Sequence, residues 1–369
     1  MKLAFFIHGL SGGGAERVMS IVANGLATRG HDVHIVMVYS SKEPVFEINP
    51  DVKVDSISYN WERIKNKFFR AIYCKIFCFH HIRRITKEIK PDIAITFLSA
   101  LNPIIIFSLL GLRVPVIASE HTTVTRKEPF SVWFPRMLMY PFADAITVLT
   151  QRDYNLWKKK YKQLYYLPNP RVPSPKIEGK ERKKIILAVG RVMGWKVKGF
   201  DTLINCWYGI KDRFPDWSCE IAGDYNQEAI VALQKELIPG ALDCVHFLGF
   251  RSDVRELMRE SEVFCLTSRV EGFGMVLLEA MDAGCCCVSF DVPSGPGEII
   301  DDNVSGFLVK NQNIDDLKEK LSIVMSDSEL RQRFSEAAPK SIEKYNVEHI
   351  LNRWEALIIS LRNGNGIPE

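Results

Sequence analysis

Two series of short apolar runs, each followed by a stretch with helical spacing, constrain this chain more than any other feature. The first series reads LAFFIHG, HDVHIVMVY, DIAITFL, PVIAS and DAITVLT between positions 3 and 150. The second reads KIILAVG, CEIAG, VHFLGF, VFCLTS, CCCVSF and FLV between 184 and 309. Strands apolar at successive positions need cover on both faces, which is the condition of a parallel sheet between helical layers. The predicted fold class is α/β, with two Rossmann-like doubly wound domains and a ligand cleft between them. Between the series lies LPNPRVPSPKIEGKERKK, in which Pro168, Pro170, Pro173 and Pro175 precede a run of charges. This is the predicted boundary, with domains over 1–172 and 173–345.

A chain of 369 residues suits two cores of about 150–200 residues better than one, and 47% hydrophobic content excludes general disorder. The net charge of +4 conceals an asymmetry. Residues 1–175 hold 24 Lys and Arg against 13 Asp and Glu, while the remainder hold 24 against 31. The basic half is expected to meet an anionic surface or acceptor. Nucleic acid is not the expected partner, because no aromatic-and-basic recognition motif accompanies the charge.

The nine cysteines include Cys285, Cys286 and Cys287 inside an apolar run. With no secretory signal after Met1-Lys2, they read as reduced, buried thiols of a cytoplasmic protein. Cys74 and Cys78 beside His80 and His81 read as one helix face, not as a metal site. The apolar stretch 93–112 approaches the length of a membrane span, but Asn102-Pro103 divides it into a strand and a helix.

Three places carry candidate chemistry. Gly12, Gly13 and Gly14 lie between the first strand and the first helix, either as a phosphate-facing loop or as a tight structural turn. Residues 271–279 read EGFGMVLLE: Glu271 on a loop, then a helix starting near Gly274 that carries Glu279. Bare amides at a helix start suit a diphosphate, and carboxylates suit sugar or ribose hydroxyls. Arg191 follows the strand ILAVG, with Lys196 and Lys198 in the next turn, where cations can meet charge on a departing diphosphate.

These motifs, in this order, resemble glycosyltransferase family 4, a retaining family of GT-B architecture. The resemblance rests on GGGAERV, SEH at 119–121, VGR with KGFDTLI, IAGDY, VHFLGF, the E-x7-E block with EAMDAG, and SGPGEII with NVSGFLV. It implies an amino-terminal acceptor-binding domain, a carboxyl-terminal nucleotide-sugar-binding domain, and a terminal helix over 346–369 returning to the former. Arg191 and a lysine would grip the donor diphosphate. Glu271 would hold the transferred sugar beside the amides of Phe273, Gly274 and Met275, and Glu279 the ribose. His121 would sit near the acceptor or sugar, Gly13 and Gly14 beneath the phosphates, and the backbone at Phe250 and Arg251 near the base. The family's lysine stands five residues after the arginine and directly before glycine. Lys196 keeps the first spacing and Lys198 the second, so both remain candidates.

The implied activity is hexosyl transfer with retention from a nucleotide-diphosphate sugar, a UDP-sugar foremost, to a lipid-linked glycan of bacterial surface polysaccharide. No D-x-D motif stands where a metal-dependent transferase needs one, so no metal or other cofactor is expected. A front-face mechanism is favoured over a double displacement through Glu271. The rival classes are a nucleotide-sugar epimerase of the same fold and a non-catalytic nucleotide-sugar-binding protein. Residues 60–90 hold nine Lys and Arg against two Glu, with aromatic and aliphatic residues interleaved. They are expected to meet an anionic membrane surface or a lipid-linked acceptor through Arg63, Lys67 and Arg70, on the inner face of the cytoplasmic membrane.

Overall fold

The computed structural model describes residues 1–57, 67–173 and 182–364, without the side chains of 67–73 and 75. The chain forms two compact units, one of Met1–Pro170 with Val347–Glu369 and one of Arg171–Asn346.

The first unit is built on seven strands, β1 (Lys2–Ile7), β2 (Asp32–Met37), β3 (Lys53–Ser56), β4 (Ile93–Phe97), β5 (Val116–Ser119), β6 (Ala145–Val148) and β7 (Leu164–Tyr166). All pair parallel, in the order β3-β2-β1-β4-β5-β6-β7. Among the described residues five helices alternate with them: α1 (Gly14–Thr28), α2 (Lys67–Ile89), α3 (Asn102–Leu109), α4 (Phe130–Met139) and α5 (Gln151–Trp157). The central strands are buried at nearly every position, so the apolar runs are what sandwiching by helices requires. Helix α1 opens with a capping box in which Glu16 reaches back to Gly13. The stretch 93–112 divides into β4 and α3, with Pro103 in the first turn of α3. No helix among the described residues is long and apolar enough to cross a membrane.

The second unit holds β8 (Lys183–Val189), β9 (Ser218–Ala222), β10 (Val245–Gly249), β11 (Ser261–Leu266), β12 (Cys286–Asp291) and β13 (Gly306–Lys310). They are also parallel, in the order β10-β9-β8-β11-β12-β13. Its helices are α6 (Trp195–Lys198), α7 (Phe200–Tyr208), α8 (Gln227–Gln234), α9 (Val254–Glu260), α10 (Met275–Asp282), α11 (Pro296–Ile299), α12 (Ile314–Ser326) and α13 (Ser328–Ser341). Cys285, Cys286 and Cys287 lie in its core as free thiols, and burial pushes the Cys285 thiol up to about 11. They are apolar filling, not reactive groups.

The last helix, α14 (Val347–Asn363), belongs to the first unit. Arg29 binds Glu348 at 2.6 Å and Glu355 at 3.0 Å, and His31 Nε2 lies 2.9 Å from Glu355. Gly25 on α1 permits the approach, since a Cβ there would stand 2.4 Å from Leu351 of α14. Cys74 and Cys78 lie on α2 with His80 and His81. Cys78 enters the core, and His81 stacks on Phe77 at 3.7 Å with its Nδ1 against the Phe77 carbonyl.

Candidate functional site

Winding outward from the centre of the second sheet reverses between β8 and β11, so the loops after these strands diverge and leave a crevice at their carboxyl ends. Arg191 stands exposed in the loop after β8, and Glu271, its side chain largely covered, lies in the loop after β11. Lys198, the last residue of α6, donates from Nζ to Glu271 Oε1 at 2.7 Å. Gly199 makes this possible. Its φ of +68° turns the chain between α6 and α7, and a Cβ there would stand 1.9 Å from the Thr267 carbonyl oxygen. Thr267 then donates from Oγ1 to the Lys198 carbonyl at 3.1 Å. Lys196 is exposed, its ammonium 5.1 Å from the Trp195 ring centroid.

A brace that the motif reading does not anticipate holds the two loops together. Arg269 donates to both carboxylate oxygens of Asp201, at 2.8 and 2.6 Å, and to the Lys196 carbonyl at 2.6 Å. Its own amide donates to the Val197 carbonyl at 2.8 Å. A bidentate Arg–carboxylate pair fixes orientation as well as distance. The only signal in the sequence is an acid in the first turn of α7 and an arginine two residues before Glu271.

Helix α10 starts after Gly274, whose φ is +101°, and carries Glu279 in its second turn. Phe273 is buried, edge-on to Tyr345 at 5.1 Å, and Leu277, Leu278, Ala280 and Met281 anchor the helix from below. The Phe273, Gly274 and Met275 amides thus sit at an anchored helix start, the geometry that favours an anion. Ser294 Oγ donates to the Gly272 carbonyl at 3.2 Å. Phe250 and Arg251 lie in the loop after β10, at the sheet edge and two strands from β8. Phe250 is exposed, and Arg251 is engaged by Asp253 at 2.7 Å.

In the first unit the amides of Gly12 and Gly13 donate to Glu16 Oε2 at 2.8 and 3.1 Å. They are engaged by a carboxylate of their own helix, which favours the structural-turn reading of the glycine loop; Gly14 is the first residue of α1. His121 follows β5. Its ring stacks on Phe97 at 4.4 Å, and its Nε2 lies 3.1 Å from Ser119 Oγ, which accepts from Thr147 Oγ1 at 2.7 Å. Its Nδ1 is buried without a protein partner. Burial lowers the imidazole pKa to about 3, so the ring is neutral at physiological pH.

Glu120 beside it is buried, taking hydrogen bonds from Ser99 at 2.8 Å and from Tyr140, with Arg136 at 3.9 Å. Burial raises its carboxyl pKa against the opposing pull of Arg136, Tyr140 and Ser99. Asn102 donates to the Tyr140 hydroxyl at 2.9 Å and to the Ser119 carbonyl at 3.1 Å. SEH is therefore part of a buried polar network, with His121 its least covered member. Of the acceptor or membrane candidates, Arg63 lies outside the described residues, and Lys67 and Arg70 open α2 with their side chains outside them. Further along, α2 turns Cys78, Ile82 and Ile89 into the core of the sheet.

The sequence pattern of the family described as Glycosyltransferase Family 4 matches residues 12–170, and that of Glycosyl transferases group 1 matches residues 173–341. A Campylobacter jejuni GalNAc-alpha-(1->4)-GalNAc-alpha-(1->3)-diNAcBac-PP-undecaprenol alpha-1,4-N-acetyl-D-galactosaminyltransferase is 30% identical, over 98% of this chain and 99% of its own. A second C. jejuni protein, an N-acetylgalactosamine-N,N'-diacetylbacillosaminyl-diphospho-undecaprenol 4-alpha-N-acetylgalactosaminyltransferase, is 25% identical over 91% of this chain and 93% of its own. Among solved structures, Staphylococcus aureus TarM in complex with fondaparinux, alpha-GlcNAc-glycerol and UDP superposes with a TM-score of 0.79. The match covers 97% of this chain and 99% of that one at 13% identity, a likeness of fold. With two parallel Rossmann-like units and matches along both, the chain belongs to glycosyltransferase family 4 and is a hexosyltransferase of GT-B fold.

Proposed function

We propose that this enzyme of bacterial lipid-linked glycan synthesis transfers a hexose with retention from a UDP-sugar, UDP-GalNAc or UDP-galactose foremost. The acceptor is a glycan linked through diphosphate to a polyprenyl lipid, presented at the inner face of the cytoplasmic membrane. One observation carries the reading: the 2.7 Å contact between Lys198 and Glu271 at the crevice between β8 and β11. It sets a cation for the diphosphate against a carboxylate for the sugar hydroxyls. The relatives' names support the sugar and the acceptor, and the UDP complex of TarM supports the nucleotide.

The chemistry follows from charge. As the bond between the anomeric carbon and the diphosphate breaks, negative charge builds on the leaving oxygen, where Arg191, Lys198 and the amides at the start of α10 stabilise it. The acceptor hydroxyl attacks from the same face, and its proton passes to the leaving phosphate. Glu271 holds the sugar hydroxyls, Glu279 the ribose, and the backbone at Phe250 and Arg251 the base. Neutral His121 offers a hydrogen bond to the sugar or acceptor. In the basic stretch 60–90, Arg63, Lys67 and Arg70 hold the acceptor's diphosphate.

The test is incubation with UDP-GalNAc, UDP-galactose or UDP-glucose and a polyprenyl-diphosphate-linked glycan, with products read by proton NMR. The expected product is the acceptor extended by one α-linked sugar. A β-linked product would refute retention, and conversion of the donor without acceptor would identify an epimerase.

A further inference from the structure

Helix α4 has its apolar stripe on the outside. Phe130, Trp133, Phe134, Met137 and Leu138 follow the i, i+3, i+4, i+7, i+8 spacing that ordinarily marks a core-facing stripe. Yet all five are exposed, Phe130 at 71% and Leu138 at 51%, and Phe142 just beyond the helix at 56%. The inward residue is instead Arg136, buried against Glu120 and under the Trp157 ring. The outer rings support one another, with Phe130 stacked on Phe134 at 5.2 Å and 6.1 Å from Trp133. A contiguous surface of this kind marks an interaction site.

The charge around the stripe selects the partner. Behind α4 lies a cavity of about 470 Å³ whose lining includes Trp133 and Met137 from the stripe, Trp157, and the cations Arg126, Lys127 and Lys160. Lys158, Lys159 and Lys162 are exposed beside Lys160 in the chain. Over residues 126–162 there are eight Lys and Arg against three acids; Arg136 and Asp153 are buried, and Glu128, on the same cavity, lies 3.8 Å from Arg126, so the exposed balance stays basic. Aromatic and aliphatic side chains facing out, with cations beside them, match the boundary between acyl chains and anionic headgroups. In its described part, α2 turns Cys78, Ile82 and Ile89 into the core and leaves Ile76 exposed.

We infer that α4 docks this enzyme on an anionic phospholipid bilayer, its Phe130–Phe134–Leu138 stripe entering the acyl boundary and Arg126, Lys127 and Lys160 meeting headgroup phosphates. The inference rests on the proposed membrane-borne acceptor, and it assigns a docking surface to α4.

The test is co-sedimentation of the full chain with vesicles of equimolar phosphatidylglycerol and phosphatidylcholine, and with phosphatidylcholine alone. The variants are Phe134→Glu/Leu138→Glu, Lys127→Glu/Lys160→Glu, and Val231→Glu as an exposed apolar control on α8. The wild type and Val231→Glu should partition onto the anionic vesicles. Phe134→Glu/Leu138→Glu should lose about tenfold or more in partitioning, and Lys127→Glu/Lys160→Glu should lose the preference for phosphatidylglycerol. Thermal melts matching wild type would establish that the variants fold. A wild-type protein left in the supernatant at low salt would overturn the inference. So would equal binding by Phe134→Glu/Leu138→Glu, or a dimer that this variant abolishes without any vesicle binding. Transfer to a lipid-linked acceptor in detergent, measured in parallel, separates the two failures. Transfer without vesicle binding defeats only the docking, whereas absence of transfer defeats the functional reading.

Discussion

Lys198 and Glu271, 73 positions apart, meet at 2.7 Å because the loops after two adjacent parallel strands, β8 and β11, are held together. The contact separates two lysines that spacing alone leaves equivalent. Lys198→Ala is expected to weaken UDP binding by about tenfold to a hundredfold, the cost of one charged hydrogen bond in a half-buried site. Lys196→Ala, whose ammonium lies over Trp195, should change it less than about twofold, the effect of an exposed charge. Calorimetric titration of UDP into both variants checks this, and the reverse order would move the diphosphate to Lys196.

The Arg269–Asp201 brace is expected to act on the site without touching substrate. A double-mutant cycle of Arg269→Ala and Asp201→Ala should give a coupling of roughly 0.5–3 kcal/mol in urea unfolding. Arg269→Lys should rescue little, because an ammonium cannot reproduce the two parallel hydrogen bonds. Both single variants should lower kcat more than they raise KM for donor. Additive stabilities would show the brace to be idle.

Much of this arrangement was legible in the sequence, and the reasons for the gaps are physical. Buried parallel strands cannot avoid being apolar on both faces, so β1, β4, β8, β11 and β12 stand out. By contrast β3 is an edge strand reading KVDS, and β7 has three residues inside a basic stretch. The loop carrying Glu271 was legible from its glycines and the apolar helix behind it. The Arg269 brace was not, because a long-range ion pair leaves no periodic trace. The apolar stripe of α4 has the spacing of a buried face, and spacing reports which residues share a face but not whether that face is covered.

The low pKa of His121 makes a signed prediction for stability. The folded-state value of about 3 lies below the ordinary value of 6.5, so between these limits the unfolded chain binds a proton that the folded chain does not. Stability from this group is therefore present above pH 6.5 and is lost as pH falls towards 3. The urea midpoint of the wild type should fall more steeply from pH 7 to pH 5 than that of His121→Gln. Parallel curves would show that the imidazole protonates freely in the folded protein.

Transfer is expected to continue in excess EDTA, because Arg191, Lys198 and the amides at the start of α10 can meet the charge that a divalent ion would otherwise neutralise. The rate with UDP-sugar after dialysis against EDTA should equal that before it. Loss of activity restored by manganese would show that the cations do not suffice.

The most direct test of the account is the single-turnover rate of sugar transfer by Glu271→Gln and Arg191→Ala. Both side chains stand at the crevice between β8 and β11, and neither fills the core. Each variant should keep the wild-type circular dichroism spectrum and lose on the order of a hundredfold or more in rate, as removal of a preorganised charge contact does. Near-wild-type transfer by both folded variants would contradict the assignment of the site.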